Sequence, residues 1–414
     1  MKNWLFETRA IHAGVEVDPE TGATRTPIYQ SAAFAHDSAE SLEDTFKGRK
    51  FGYYYSRVSN PTVVALEKRL SALENGIGAV AVSSGMAAIS NAVFTLAKSG
   101  ENFVSSKSLF GSTYYLFNGV VKNSGIEARF SDSHDLAAMR SAIDEKTRFI
   151  YLETMGNPKL DIPDMGAIAE LAKASGIPLV VDSTFTTPYL FNAKAYHVDI
   201  VIHATTKYLC GGGTTVGGAI IDMGEFSWKD SKSETLTDAK PFGDLAFLAV
   251  ARKVRSNTGS ALAPQNAFLS SVGLDTLIVR MDRHCENALE LATFLEKSDV
   301  VSAVGYPGLP SHPEHALAAT QFGGRFGGML TLRLGSKANA YKFINGLKIA
   351  KNLVNLGDAK TLVVHPKSTI YRDFSDEESE AAGVFNDLVR VSVGLEHISD
   401  LMADFGQSLD AIAQ

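Results

Sequence analysis

The stretch "DIVIHATTKYLCGGGTTVGG", Asp199 to Gly218, decides the reading of this chain. It opens with an apolar run, Ile200 to Ile202, short enough for a buried strand. Small hydroxyl-bearing residues, a single lysine (Lys207) and a glycine-rich segment that cannot continue a helix follow it. A lysine held between a strand end and such a loop can act as a nucleophilic amine. It forms a Schiff base if its surroundings hold down its charge. Taken alone, a lysine in this setting is more often a solvated surface cation, so the neighbouring segments have to decide.

Upstream, the same strand-then-turn unit recurs. "AVAVSS", "NFVSS", "RFIYLE" and "IPLVVD" read as short buried strands. Helical stretches lie between them: "GMAAISNAVFTLAKSG", "STYYLFNGVVKNSG" and "DMGAIAELAKASG". An amphipathic helix carrying Val64, Leu66, Leu70 and Leu73 precedes the first strand. Short apolar strands alternating with helices predict an α/β fold with a mostly parallel sheet flanked by helices. Ligands of such sheets sit at the carboxyl ends of the strands. Polar side chains fall there four times: Ser83 and Ser84, Glu153 to Asn157, Asp182, and His203 to Lys207.

The first sixty residues lack a clear period and read as an extended arm, rich in aromatic residues, that packs on something else. Residues 225–260 turn polar and are expected to be a loop and crossover. A long helix is expected from Leu274 to about Lys297, followed by a smaller α/β domain with strands "GGMLTLRL", "TLVVHP" and "RVSVG". The expected division is 1–62 (arm), 63–255 (large domain) and 256–414 (C-terminal domain).

The 414 residues suffice for two or three domains, and at 45% apolar content they can bury a large core. No run approaches a membrane span, and the start lacks a signal-peptide core, so a cytoplasmic protein is expected. A net charge of −7 without a basic block disfavours nucleic acid as a partner. Cys210 and Cys285 make neither a disulfide framework nor a metal cluster, so no metal is expected. Both cysteines, with His203 and His284, read as packing residues.

Three of these features together suit one cofactor. "SSGM" at 83–86 joins a strand to a helix, whose first N–H groups can bind a phosphate that Gly85 lets approach closely. The segment has no Walker lysine and no dinucleotide fingerprint. Asp182 could cap a helix or face a ring nitrogen; a protonated pyridine nitrogen makes its ring an electron sink. With Lys207, these fit pyridoxal 5′-phosphate (PLP).

The chain resembles the Cys/Met-metabolism family of PLP enzymes nearly end to end. The strings that carry the resemblance include "TPIYQSAAF", "YYYSRVSNPT", "SSGMAA", "LFGST", "VVDSTF", "TTKYLCGG", "LGDAKTLVVHP" and "VRVSVGLEHISDL", in the family's order. The resemblance implies the aspartate-aminotransferase-like fold of PLP-dependent transferases. It implies that Lys207 holds the internal aldimine and shuttles protons, and that Asp182 pairs with the pyridine nitrogen. Gly85, Met86 and Thr206 would bind the phosphate, and Asn157 would lie near the phenolic oxygen. Arg390 would grip the amino-acid carboxylate as a bidentate fork. Tyr55 and Arg57 would reach the cofactor of a neighbouring subunit. That implies a homo-oligomer, a tetramer built from dimers that share active sites.

Two positions depart from the family's pattern. Phe110 stands where a stacking tyrosine is usual, so it can stack but relays no proton. Proton transfer then rests on Lys207, with Tyr55 as a second group. Ala204 replaces a common serine three residues before the lysine.

Within the family, "ETMGNP" and Asn355, Asp358 and Lys360 in "NLGDAKTL" resemble the homoserine-ester sulfhydrylases. Ser112 occupies a position where methionine γ-lyases carry cysteine. The implied reaction is γ-replacement through a vinyl intermediate. O-acetylhomoserine or O-succinylhomoserine reacts with sulfide or a small thiol to give homocysteine or methionine, with the acetyl ester preferred. The alternatives are a methionine or cystathionine γ-lyase, a cystathionine γ-synthase, and a catalytically idle PLP-binding regulatory protein.

Overall fold

The structure, a computed structural model, describes residues 4–413. It contains two sheets. Seven strands build the larger: β1 Gly78–Val82, β2 Asn102–Ser106, β3 Glu127–Ser131, β4 Thr147–Glu153, β5 Leu179–Asp182, β6 Ile200–His203 and β7 Gly218–Asp222. Their order is β1-β7-β6-β5-β4-β2-β3. All pair in parallel except β7, which runs antiparallel to both β1 and β6. Five strands build the smaller sheet: β8 Ala303–Gly305, β9 Met329–Arg333, β10 Lys351–Asn352, β11 Leu362–Val364 and β12 Leu388–Ser392, in the order β10-β11-β12-β9-β8.

The α/β expectation holds, and all the strands named from sequence form. β4 and β6 are buried along their whole length because helices cover both faces, which is why they read as apolar runs. The helix Pro61–Glu74 begins where the sequence says it should. Pro61 occupies its first turn and the Asn60 side chain accepts the Thr62 N–H at 3.0 Å. Its polar positions are not all solvated, however. Arg69 is buried against the Ala10 carbonyl and Asp275, while Glu67 is buried between the Ala81 N–H and Arg255.

Three differences from the sequence reading have local causes. Residues 225–260 are not a loop, because a helix spans Ala246–Thr258 with Phe247, Leu248 and Ala251 in the core. Only that one face is apolar, which the surrounding Lys/Asp/Ser-rich composition hid. The long helix starts at Leu277, and Pro264–Leu274 forms a separate helix before it. The Arg280 guanidinium fixes the break by donating to the Gly273 carbonyl at 2.7 Å and the Thr276 hydroxyl at 3.1 Å. The arm contains two short helices, Phe6–His12 and Ala39–Phe46, rather than being extended throughout. Several of its aromatic residues remain open to solvent: Phe46, which stacks on Tyr54 at 4.2 Å, is exposed, and Phe51 is 79% exposed.

Candidate active site

β1, β4, β5 and β6 point the same way, so their carboxyl ends meet at one edge of the large sheet. A cavity of about 720 Å³ opens there, and the loop before β11 and strand β12 of the smaller sheet close its far side. Nine of the eleven residues predicted from sequence line it: Gly85, Met86, Phe110, Asn157, Asp182, Thr206, Lys207, Asn355 and Arg390. Tyr55 and Arg57 do not. Tyr55 is exposed, and the Arg57 guanidinium lies 5.2 Å from its ring while donating to the Ser256 hydroxyl at 3.0 Å.

Lys207 sits in the loop after β6. Its Nζ donates to Asn355 Oδ1 at 2.6 Å. Burial, and then the positive charge of Arg390, lower its pKa from 10.5 to about 8. A substantial neutral fraction near physiological pH is what a nucleophilic lysine needs.

Arg390, on β12, is 3% exposed. It donates to Asn157 Oδ1 at 3.1 Å and to the Asn355 carbonyl at 3.4 Å. Among the described residues no carboxylate lies within ion-pair distance of it. Burial pushes its pKa down. A buried guanidinium facing a cavity with only neutral partners is a ready anion receptor.

Asp182 ends β5. Its Oδ1 accepts the Thr184 N–H at 2.9 Å, and burial raises its pKa. The Thr184 hydroxyl in turn accepts the Ala204 N–H at 2.8 Å, which ties the ends of β5 and β6 together. Beside Asp182 in register stands Glu153, the last residue of β4, whose Oε1 accepts the Phe110 N–H at 2.8 Å.

The helix Gly85–Leu96 starts at the cavity, with Ser84 as its cap accepting the Ala87 N–H at 3.0 Å. A Cβ on Gly85 would stand 2.7 Å from the Ala204 Cβ, so only glycine lets the two strand ends close on each other. The first N–H groups of this helix make an anion cradle. The Thr206 hydroxyl is engaged with Gly217, accepting its N–H at 3.0 Å and donating to its carbonyl at 3.2 Å. An anion cradle, a carboxylate, a low-pKa lysine and a guanidinium without a counter-charge around one cavity fit PLP and an amino-acid carboxylate together.

Cys210 and Cys285 are buried, as expected of packing residues. His203 is fully buried and its Nε2 lies 2.5 Å from Glu74. Sequence reasoning noted Glu153 only as part of a polar strand end, although an acidic residue closing an apolar strand was the available signal. Asn266 and Val354 also line the cavity, and nothing in their local sequence marks them.

Fold and site define an α/β protein whose cavity, with Lys207 in its lining, fits PLP. The chain belongs to the Cys/Met metabolism PLP-dependent enzyme family, whose pattern it matches over residues 7–410. It is 42% identical to O-acetyl-L-homoserine sulfhydrylase 1 of Thermus thermophilus, over 98% of this chain and 99% of that protein. It is 41% identical to the homocysteine synthase of Schizosaccharomyces pombe, over 98% of each. Its fold superposes with a TM-score of 0.92 on a Campylobacter jejuni protein described as an O-acetylhomoserine (thiol)-lyase. That structure carries a pyridoxyl-lysine monophosphate, is 32% identical, and matches over 98% of this chain and 100% of that one. Among the described residues no helix is long and apolar enough to cross a membrane.

Proposed function

We propose that this enzyme converts O-acetylhomoserine and sulfide to homocysteine, releasing acetate. The observation that carries the reading is Arg390: a buried, carboxylate-free guanidinium that lines the same cavity as Lys207 and Asp182. Arg390 binds the substrate's α-carboxylate and fixes its Cα before Lys207. Lys207, held by Asn355, takes the proton from that carbon and returns it later, which its lowered pKa permits. PLP, when bound, supplies an electron sink for the charge that proton removal leaves on the substrate. Asp182 would hold the ring nitrogen, and a cation there would favour the ionised carboxylate that burial alone disfavours. Phe110 offers a stacking face without a hydroxyl, so Lys207 carries the proton traffic.

The choice of acyl group follows from charge. Among the described residues Lys207 and Arg390 are the only Lys or Arg on the cavity wall, and both have roles. A succinyl ester would bring a second carboxylate with no cation to meet it, whereas an acetyl ester is neutral. The names of the relatives point the same way.

We further infer that Tyr55 and Arg57 of one copy complete the cofactor site of another, which makes the enzyme a homo-oligomer, a tetramer of such dimers. Exposed aromatic residues on the arm support this, as does the position of Arg57 outside its own cavity. The division at 63 and 256 into arm, large domain and C-terminal domain belongs to the same reading, as does a cytoplasmic location.

The test is a product assay on PLP-loaded protein given O-acetylhomoserine with and without sulfide. Homocysteine that appears only with sulfide is expected. Formation of 2-oxobutanoate at an undiminished rate regardless of sulfide would make the protein a γ-lyase and sink the proposal.

A further inference from the structure

Glu153 is the one acidic group of the cavity that the reaction above does not use. It is 8% exposed, and its Cα pairs across the parallel strands with that of Asp182. One oxygen accepts the Phe110 N–H at 2.8 Å, and among the described residues neither Lys207 nor Arg390 nor any other cation forms an ion pair with it. The other ionisable groups bearing on it are Asp161, behind the Gly156–Asn157 turn, and the buried Tyr151 and Tyr371. None of these is a cation. Phe110 itself sits immediately before the helix Gly111–Tyr115, which has no side-chain cap, so the Glu153 contact is what ties down its N–H.

We propose that Glu153 is a positioning residue that sets the Phe110 ring at the cavity wall through the Phe110 backbone N–H, and that it does so as a neutral acid. Geometry carries the second half. Two neighbouring buried carboxyl groups with no protein cation between them disfavour joint ionisation, and a protonated ring nitrogen bound at Asp182 would place the single charge there. Burial and the charge of Asp182 both push Glu153 well above the usual carboxylate range. The neutral acid keeps an acceptor for Phe110 and leaves a hydroxyl to donate, and it adds no second negative charge beside Asp182. A glutamine has the same shape, the same acceptor and a donor. An aspartate keeps the acid but loses a methylene of reach.

The inference rests on the PLP reading of the cavity, and its test separates the two. Full-length PLP-loaded Glu153→Gln, Glu153→Asp and Glu153→Ala are compared by backbone hydrogen exchange over residues 107–115 and by kcat/KM for homocysteine formation. The Gln variant is expected to match the parent in both readouts and in pH profile. The Asp and Ala variants should exchange the Phe110 amide about tenfold faster and lose roughly 10- to 100-fold in kcat/KM as the ring drifts. A Gln variant as impaired as Ala would mean that Glu153 works as an anion and would overturn the proposal. Unchanged exchange at Phe110 in the Ala variant would overturn the positioning role. Exchange that follows the expected order in a protein that makes no homocysteine would leave Glu153 as argued and refute the sulfhydrylase reading instead.

Discussion

Replacing Arg390 by methionine should separate binding from folding. In the free protein the guanidinium is 3% exposed and rests on two neutral oxygens, at 3.1 and 3.4 Å. Burying a cation this way costs several kcal/mol, and each hydrogen bond from a charged donor returns about 1.5–3 kcal/mol. Arg390→Met removes the cost and the return together, leaving Asn157 Oδ1 and the Asn355 carbonyl without that donor. The fold should therefore change by no more than about 2 kcal/mol in either direction. Substrate binding has no such compensation. A bidentate, charge-assisted contact to the α-carboxylate, lost from a buried site, is worth about 3–5 kcal/mol, or roughly 200- to 5000-fold in kcat/KM. Arg390→Lys keeps the charge without the fork and should recover only part of this. The assay varies O-acetylhomoserine at saturating sulfide and measures homocysteine, with denaturant unfolding of the same preparations alongside. A kcat/KM within threefold of the parent would refute the carboxylate role. So would a loss of activity matched by an equal loss of fold stability.

Two further outcomes follow from the same geometry. With Lys207 titrating at about 8, the rate at which apoprotein takes up added PLP should climb between about pH 7 and 9 and then level off, rather than rising toward 10.5. Stability of the apoprotein should rise with pH from about 8 to 10.5, because the unfolded chain there still holds a proton that the folded chain has released. Lys207→Met should flatten that slope; an unchanged slope in the mutant would place the titration elsewhere. The shared-site reading predicts complementation. Arg57→Ala and Lys207→Ala, each nearly inactive, should regain up to about a quarter of parental activity when unfolded and refolded as an equal mixture, since half of the dimers then hold one intact site. Mixtures as inactive as their components would place Arg57 outside any neighbour's site.

The parallel core was legible because strands buried on both faces must be apolar throughout, and that is how "RFIYLE" and "DIVIH" read. β7 escaped notice because its "GAIID" emerges from a glycine-rich segment, and β3 because "EARFS" carries charge at a sheet edge. In the site, Lys207 and Asp182 could be found because polar residues at strand ends converge in this architecture. The resemblance to the family supplied Arg390, which the pattern of apolar residues alone would not single out, and a role for Asn157. No linear pattern shows, however, whether a charge has a partner. Glu67 and Arg69, neighbours on one helix, look like solvated charges, yet both are buried and paired, with Arg255 and Asp275. Arg390 and Glu153 are buried without an opposite charge, and the two kinds look alike in sequence. Pairing is settled by distant chain segments, 206 residues apart for Arg69 and Asp275. A buried charge whose partner is missing from the fold is therefore the feature that most directly points to a ligand. Here the cation, the carboxyl pair and the lysine line one cavity.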